Sequence, residues 1–81
     1  MSNCDALRTL IEDVLLLEPG EFSWELKRDE VDTWDSLAVV SIAVGLDETF
    51  GHHPAPDEAT SLTSIPRIVD WLLAKGVLLD E

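Results

Sequence analysis

An aspartate and a serine stand together at positions 35 and 36, inside DEVDTWDSLAVVSIAVGLDETFG (residues 29–51), and a mostly apolar segment begins at once after them. A hydroxyl at such a junction has two uses. Asp35 and Ser36 are both strong N-cap types, so Ser36 can cap a helix that starts there. It can also be a handle for chemistry. The unsatisfied N–H groups and the positive dipole end of a helix start favour an anion, so a phosphodiester on the Ser36 oxygen would sit in a stabilising field. Asp35 beside it offers a magnesium ligand to a modifying enzyme. A hydrolytic nucleophile fits poorly, because no G-x-S-x-G elbow surrounds the serine in TWDSLAV. The general base would have to be His52 or His53, at the far end of a helix about 20 Å long.

Other groups of reactive side chains point to less. Asp29, Glu30, Asp32 and Asp35 lack the central glycine and final glutamate of a twelve-residue calcium loop, and read as a solvated acidic loop. His52 and His53 have no third ligand at metal-binding spacing, so no metal site is expected. Cys4 is the single cysteine, which rules out an intrachain disulfide and fits a reducing cytoplasm; near the terminus it reads as a bystander.

The elements that must position Ser36 follow from periodicity. Leu7, Leu10, Ile11, Val14 and Leu17 recur at helical spacing, with Ser2, Asn3 or Asp5 as caps and EPG (18–20) as the stop. From Glu21 to Trp34 neither period is sustained, which predicts a long ordered loop pinned by Phe22 and Trp24, with Trp34 as a hydrophobic lid at the next helix start. Ser36 to Phe50 carries two overlapping apolar rows, one of Leu37, Val40 and Val44, the other of Ile42, Leu46 and Phe50, and Gly51 suits the position that ends a helix. A short turn of helix is expected around Asp57 to Leu62. A last stripe of Ile65, Ile68, Val69 and Leu72 starts at Thr63 or Ser64, tolerates Pro66 in its first turn and closes at Gly76; Trp71 and Leu73 read as core or edge of core. The expected fold is all-α: one domain (1–81), a small bundle of three principal helices plus one short helix, with a long loop between helix 1 and helix 2.

Composition narrows the function classes. The 81 residues include 17 acidic and 5 basic ones, a formal net charge of −12. Nucleic acid and anionic membrane surfaces are therefore poor partners, whereas a protein with a basic patch would be steered toward this chain. A chain this short buries only about 60–65% of its unfolded surface, so it is expected to present a surface rather than enclose a catalytic cleft. The N-terminus has no basic region before a long apolar run, and no stretch is long enough to span a bilayer, which predicts a cytoplasmic protein.

DSL at 35–37, an apolar helix ending in DETFG at 47–51, and TSIPRIVDWL at 63–72 together resemble the acyl carrier proteins. That family has D-S-L at its attachment serine, an E-E-x-F-G-like ending about a dozen residues later, and a T-[VI]-x-[DE]-[VIL] start to its last helix. The resemblance covers nearly the whole chain and implies a specific set of roles. A phosphopantetheinyl transferase would attach 4′-phosphopantetheine to Ser36, with Asp35 beside it. An acyltransferase or ligase would load the arm's thiol, a downstream synthase or transferase would receive the acyl group, and the carrier itself, expected to be a monomer, would catalyse nothing. Leu37, Val40 and Val44 match family positions that face partner enzymes, and Asp47 and Glu48 match acidic contacts. Where carriers of fatty acid synthesis usually have acidic residues one turn into helix 2, this chain has Ala38 and Ser41. With WDSL, which resembles the discrete carriers of polyketide and related specialised (antibiotic-type) pathways, this implies a free-standing carrier recognised partly through apolar contacts at Leu37, Ala38 and Val39. An aminoacyl or peptidyl carrier is the alternative within the class. An unmodified acidic helical adaptor, using Ser36 only as a cap, is the alternative outside it.

Overall fold

Four α-helices and one 3-10 turn account for the regular structure of the computed structural model, which describes residues 3–18 and 20–79: α1 Asn3–Leu15, the turn Arg28–Glu30, α2 Ser36–Phe50, α3 Pro56–Ser61 and α4 Ile65–Ala74. The architecture is the expected all-α bundle, three longer helices and one short one, with no strand among the described residues. Ser2 and Pro19, expected at the two ends of helix 1, lie outside those residues.

The longer helices bury apolar stripes close to those the spacing suggests, but on α1 it is Leu15 that is fully buried, while Leu10 and Val14 are only partly so and Leu17 lies past the helix end. Leu7, Ile11 and Leu15 of α1, Ile42 and Leu46 of α2, and Ile65, Ile68 and Leu72 of α4 form one buried cluster with Leu62 and Trp34. Fully burying a side chain of this size is worth about 1.5–3 kcal/mol, so this cluster is what holds the amphipathic helices together. Of the two rows on α2, the one through Ile42 and Leu46 points inward. Leu37 is 77%, Val40 60% and Val44 44% exposed.

Helix α1 stops at Leu15, earlier than the EPG signal suggests. Leu16 adopts a left-handed conformation (φ +56°), and the Leu17 N–H reaches back to the Glu12 carbonyl at 3.0 Å. This closure is ordinarily made with glycine. The Thr33 hydroxyl donates to the Leu15 carbonyl and so satisfies one orphan acceptor at the helix end.

Gly45 looks costly in mid-helix, by about 1 kcal/mol relative to alanine. Packing explains it. A Cβ at position 45 would lie 2.2 Å from Leu10 Cδ1 and 3.2 Å from its Cγ, so the missing side chain is what lets α1 and α2 approach. Cys4 is likewise more than a bystander: it is buried and its thiol donates to the Leu79 carbonyl at 2.8 Å. With the Asn3 amide donating to the Leu78 carbonyl, this ties the C-terminal segment across the start of α1.

Candidate functional site at the start of helix 2

The loop before α2 is held from the far end of the chain. Arg28 N–H donates to the Thr63 carbonyl (2.8 Å) and Ile65 N–H to the Leu26 carbonyl (2.9 Å), an antiparallel bridge centred on Lys27 and Ser64. Within the loop, Trp34 N–H donates to the Val31 carbonyl, and Arg28 Nε donates to the Trp34 carbonyl at 3.1 Å. Phe22 and Trp24 pack edge to face at 4.9 Å with the Arg8 guanidinium over the Phe22 ring. Phe22 packs against the core, while Trp24 remains 41% exposed, so Phe22 is the inner of the two anchors.

Trp34 is the deeper anchor. At 3% exposure it is a core residue rather than a lid, and its Nε1 has no acceptor among the described residues. A single aromatic in an aperiodic acidic stretch gives no sequence signal of its depth, because it joins a core cluster assembled from residues distant in the chain.

The helix cap is Asp35 and not Ser36. Asp35 has extended backbone, and its carboxylate accepts from the Ala38 N–H at 3.0 Å. An ionised acceptor at the positive helix end makes the stronger bond, which is why the aspartate takes the cap. Ser36 is thereby moved to the first helical position. Its side chain is exposed, and its hydroxyl makes no hydrogen bond among the described residues.

From Ser36 a groove of about 460 Å³ runs between α2 and α3. Buried Ala43, Pro54 and Ala59 and half-buried Val39 line it together with the exposed Val40, Val44 and Pro56, and both Ser36 and Arg28 contribute to its wall. His53 also lines it, with Nδ1 3.9 Å from the Asp47 carboxylate, and no hydrogen bond joins it to Ser36. The exposed row Leu37–Val40–Val44 lies along the helix from the serine, with Asp47 and Glu48 exposed toward its far end.

One expected contact residue is corrected. Ala38 is 7% exposed and faces the core, because the second apolar row of α2 passes through it. A partner cannot touch it, whereas Ser41, one turn on, is exposed and Val39 is half-buried in the groove wall.

At the other end of the groove, α3 is started by Glu58, whose carboxylate accepts from the Ala55 N–H at 2.9 Å and from Trp71 Nε1 at 3.3 Å. The Ala55 bond, helped by the Trp71 bond and the Lys75 charge, holds the Glu58 carboxyl below the usual glutamate value. Among the described residues no helix is long and apolar enough to cross a membrane, and no three His, Cys, Asp or Glu side chains converge to hold a metal ion. No protein-family model matches the chain, and no curated protein matches it at a significant level.

Proposed function

We propose that this chain is a carrier that holds an acyl group as a thioester on a 4′-phosphopantetheine arm esterified to Ser36 and offers it to partner enzymes in a polyketide-type or related specialised pathway. The observation that carries the reading is the Ser36 hydroxyl itself: exposed, without a hydrogen-bond partner among the described residues, and one position past a cap that Asp35 already supplies. A serine serving as the cap would have to give up its bond to be modified, at a cost of about 1 kcal/mol. This one gives up nothing.

The surroundings support a tethered phosphate and a flexible arm. The positive end of α2 stabilises an anion on the Ser36 oxygen, and Arg28 adds a cation in the groove wall. The apolar groove between α2 and α3 can take a short acyl chain out of water. When attached, the arm supplies a thiol for thioester chemistry, and the chain's own part is to anchor, shelter and present. Attachment forms an ester bond between Ser36 Oγ and the phosphorus bearing the pantetheine. It breaks the pyrophosphate bond of coenzyme A, releases 3′,5′-ADP, and passes the serine proton to a base of the transferase. The exposed Leu37, Val40 and Val44, followed by Asp47 and Glu48, make a surface suited to a partner with an apolar patch and a basic rim.

Intact mass after incubation with coenzyme A and a promiscuous phosphopantetheinyl transferase tests the reading. The wild-type chain should gain one phosphopantetheine and Ser36→Ala none. An unchanged wild-type mass, or an arm on another residue, refutes it and leaves the acidic helical adaptor.

A further inference from the structure

Arg28 is unlike the other basic residues of the chain. Arg8 pairs with Glu12 and lies over the Phe22 ring, and Lys75 lies over the Trp71 ring. Lys27 and Arg67 are exposed and, with Arg28 and Asp29, line a second cleft of about 560 Å³ between the first loop and the start of α4. Arg28 alone of the five cations is half-buried, and it makes no ion pair among the described residues in a protein with 17 acidic side chains. A guanidinium that gives up part of its water without gaining a carboxylate is placed for an anion that arrives later.

Its position is fixed from two directions. The backbone N–H donates to the Thr63 carbonyl at 2.8 Å, in the bridge that ties the first loop to α4, and Nε donates to the Trp34 carbonyl at 3.1 Å. Of the five guanidinium N–H donors only the one on Nε is thereby used, so the two terminal nitrogens remain. That carbonyl belongs to the second residue before Ser36, and two residues of chain span at most about 7 Å. Ser36 and Arg28 also wall the same groove. The nearest other charged groups are engaged elsewhere: the Asp35 carboxylate accepts from the Ala38 N–H at 3.0 Å, and His53, also in the groove wall, has its Nδ1 3.9 Å from the Asp47 carboxylate.

We infer that Arg28 holds the phosphodiester on Ser36, and that attaching the arm thereby clamps the first loop onto the start of α4. The inference rests on the carrier reading, because it needs the phosphate. The fork of terminal N–H groups suits two phosphate oxygens. With Nε on the Trp34 carbonyl and the terminal nitrogens on the phosphate, the guanidinium joins the root of the arm to the loop, and the Arg28 backbone N–H carries the restraint on to Thr63. The free and the armed chain then differ away from the serine itself. A partner enzyme that touches the first loop can distinguish a carrier with its arm from one without.

Amide hydrogen exchange on the full chain, with and without the arm, tests this, and intact mass verifies attachment. Attachment should slow exchange at the Arg28 and Ile65 amides about fivefold, the scale of one partly exposed ion pair, and high salt should remove most of the difference. Each variant is compared with and without the arm, so a purely structural loss, present in both forms, cancels. Lys27→Gln/Arg67→Gln, whose replaced side chains are exposed, should keep the slowing. Arg28→Gln should lose it, and Arg28→Lys, which keeps the charge but not the fork, should diminish it. The wild-type comparison needs no variant and decides even where a replacement of Arg28 fails to fold. Equal exchange in the two wild-type forms, slowing undiminished in either Arg28 variant, or slowing lost in the double variant overturns the inference and leaves the carrier reading intact. Failure to gain an arm at all overturns both.

Discussion

Replacing Asp35 separates what holds helix α2 in place from what the proposed attachment at its serine would require. Asp35→Ala removes an acceptor that sits 3.0 Å from the Ala38 N–H. Loss of an N-cap costs about 1 kcal/mol, and loss of a carboxylate at the dipole end about 0.3–1 kcal/mol. Ala38 is buried, so water replaces the lost bond poorly. Together these give about 1.5 kcal/mol, which for a domain of this size lowers Tm by about 6–12 °C. Asp35→Asn retains an acceptor of equal capping quality and loses only the charge, so its cost should be about 0.5 kcal/mol and 2–4 °C. Urea and thermal unfolding followed by circular dichroism measure both variants. Equal losses in the two would show that the hydrogen bond is not the contributing term, and no loss in Asp35→Ala would refute the cap geometry. The same pair reports on chemistry: if the carboxylate also helps the transferase hold magnesium, Asp35→Asn should accept the arm more slowly while staying folded.

Gly45→Ala gains about 1 kcal/mol of helix propensity but must turn Leu10 Cδ1 away from 2.2 Å and ease its Cγ and Cδ2 back by a few tenths of an ångström in the α1–α2 crossing, an overpacking cost of about 1–3 kcal/mol. The net should be a loss near 1 kcal/mol in urea unfolding, and in a Leu10→Ala background the sign should reverse. Leu16→Gly relieves a left-handed leucine whose side chain is 76% exposed and contributes little packing, so stability should rise by about 1 kcal/mol; a loss would argue against the closure described for α1. Glu58 has a folded pKa below its unfolded one, so its contribution is fully present above the unfolded glutamate range and disappears as pH falls through the lower folded value. Acid titration should weaken the α3–α4 contact in that window, read by Trp71 fluorescence, and Glu58→Gln should flatten the dependence.

The apolar rows of α2 and α4, the short α3, the Gly51 stop and the Ser64–Pro66 start were legible in the sequence, because each is a local pattern of burial or capping; the stripe of α1 was legible only through Leu7 and Ile11, since the helix closes at Leu15 and buries it in place of Leu17. What was not legible depends on distance along the chain. Asp35 and Ser36 are both good cap types, and the stronger bond of the carboxylate tells between them only once the helix start is seen. Ala38, by contrast, belongs by spacing to the row of Ile42 and Leu46, four residues on, so its burial was legible and was overridden only by the family resemblance. Gly45 reads as a weakness until Leu10, thirty-five positions earlier, is set against it. Lys27 and Arg28 meet Arg67 across about forty residues, so the cationic cleft has no trace in any window of the sequence. The candidate serine was therefore visible from its neighbours, while the two cavities beside it were not.

The bridge between Leu26–Arg28 and Thr63–Ile65 sets an order of events during synthesis. Until residue 65 has left the ribosome, the segment that delivers Trp34 and Asp35 to the start of α2 lacks its anchor, and a nascent chain cannot present Ser36 as the finished protein does. The proposed attachment at this serine by a shape-reading enzyme would thus wait for the segment through Ile65, a built-in check against decorating shorter fragments.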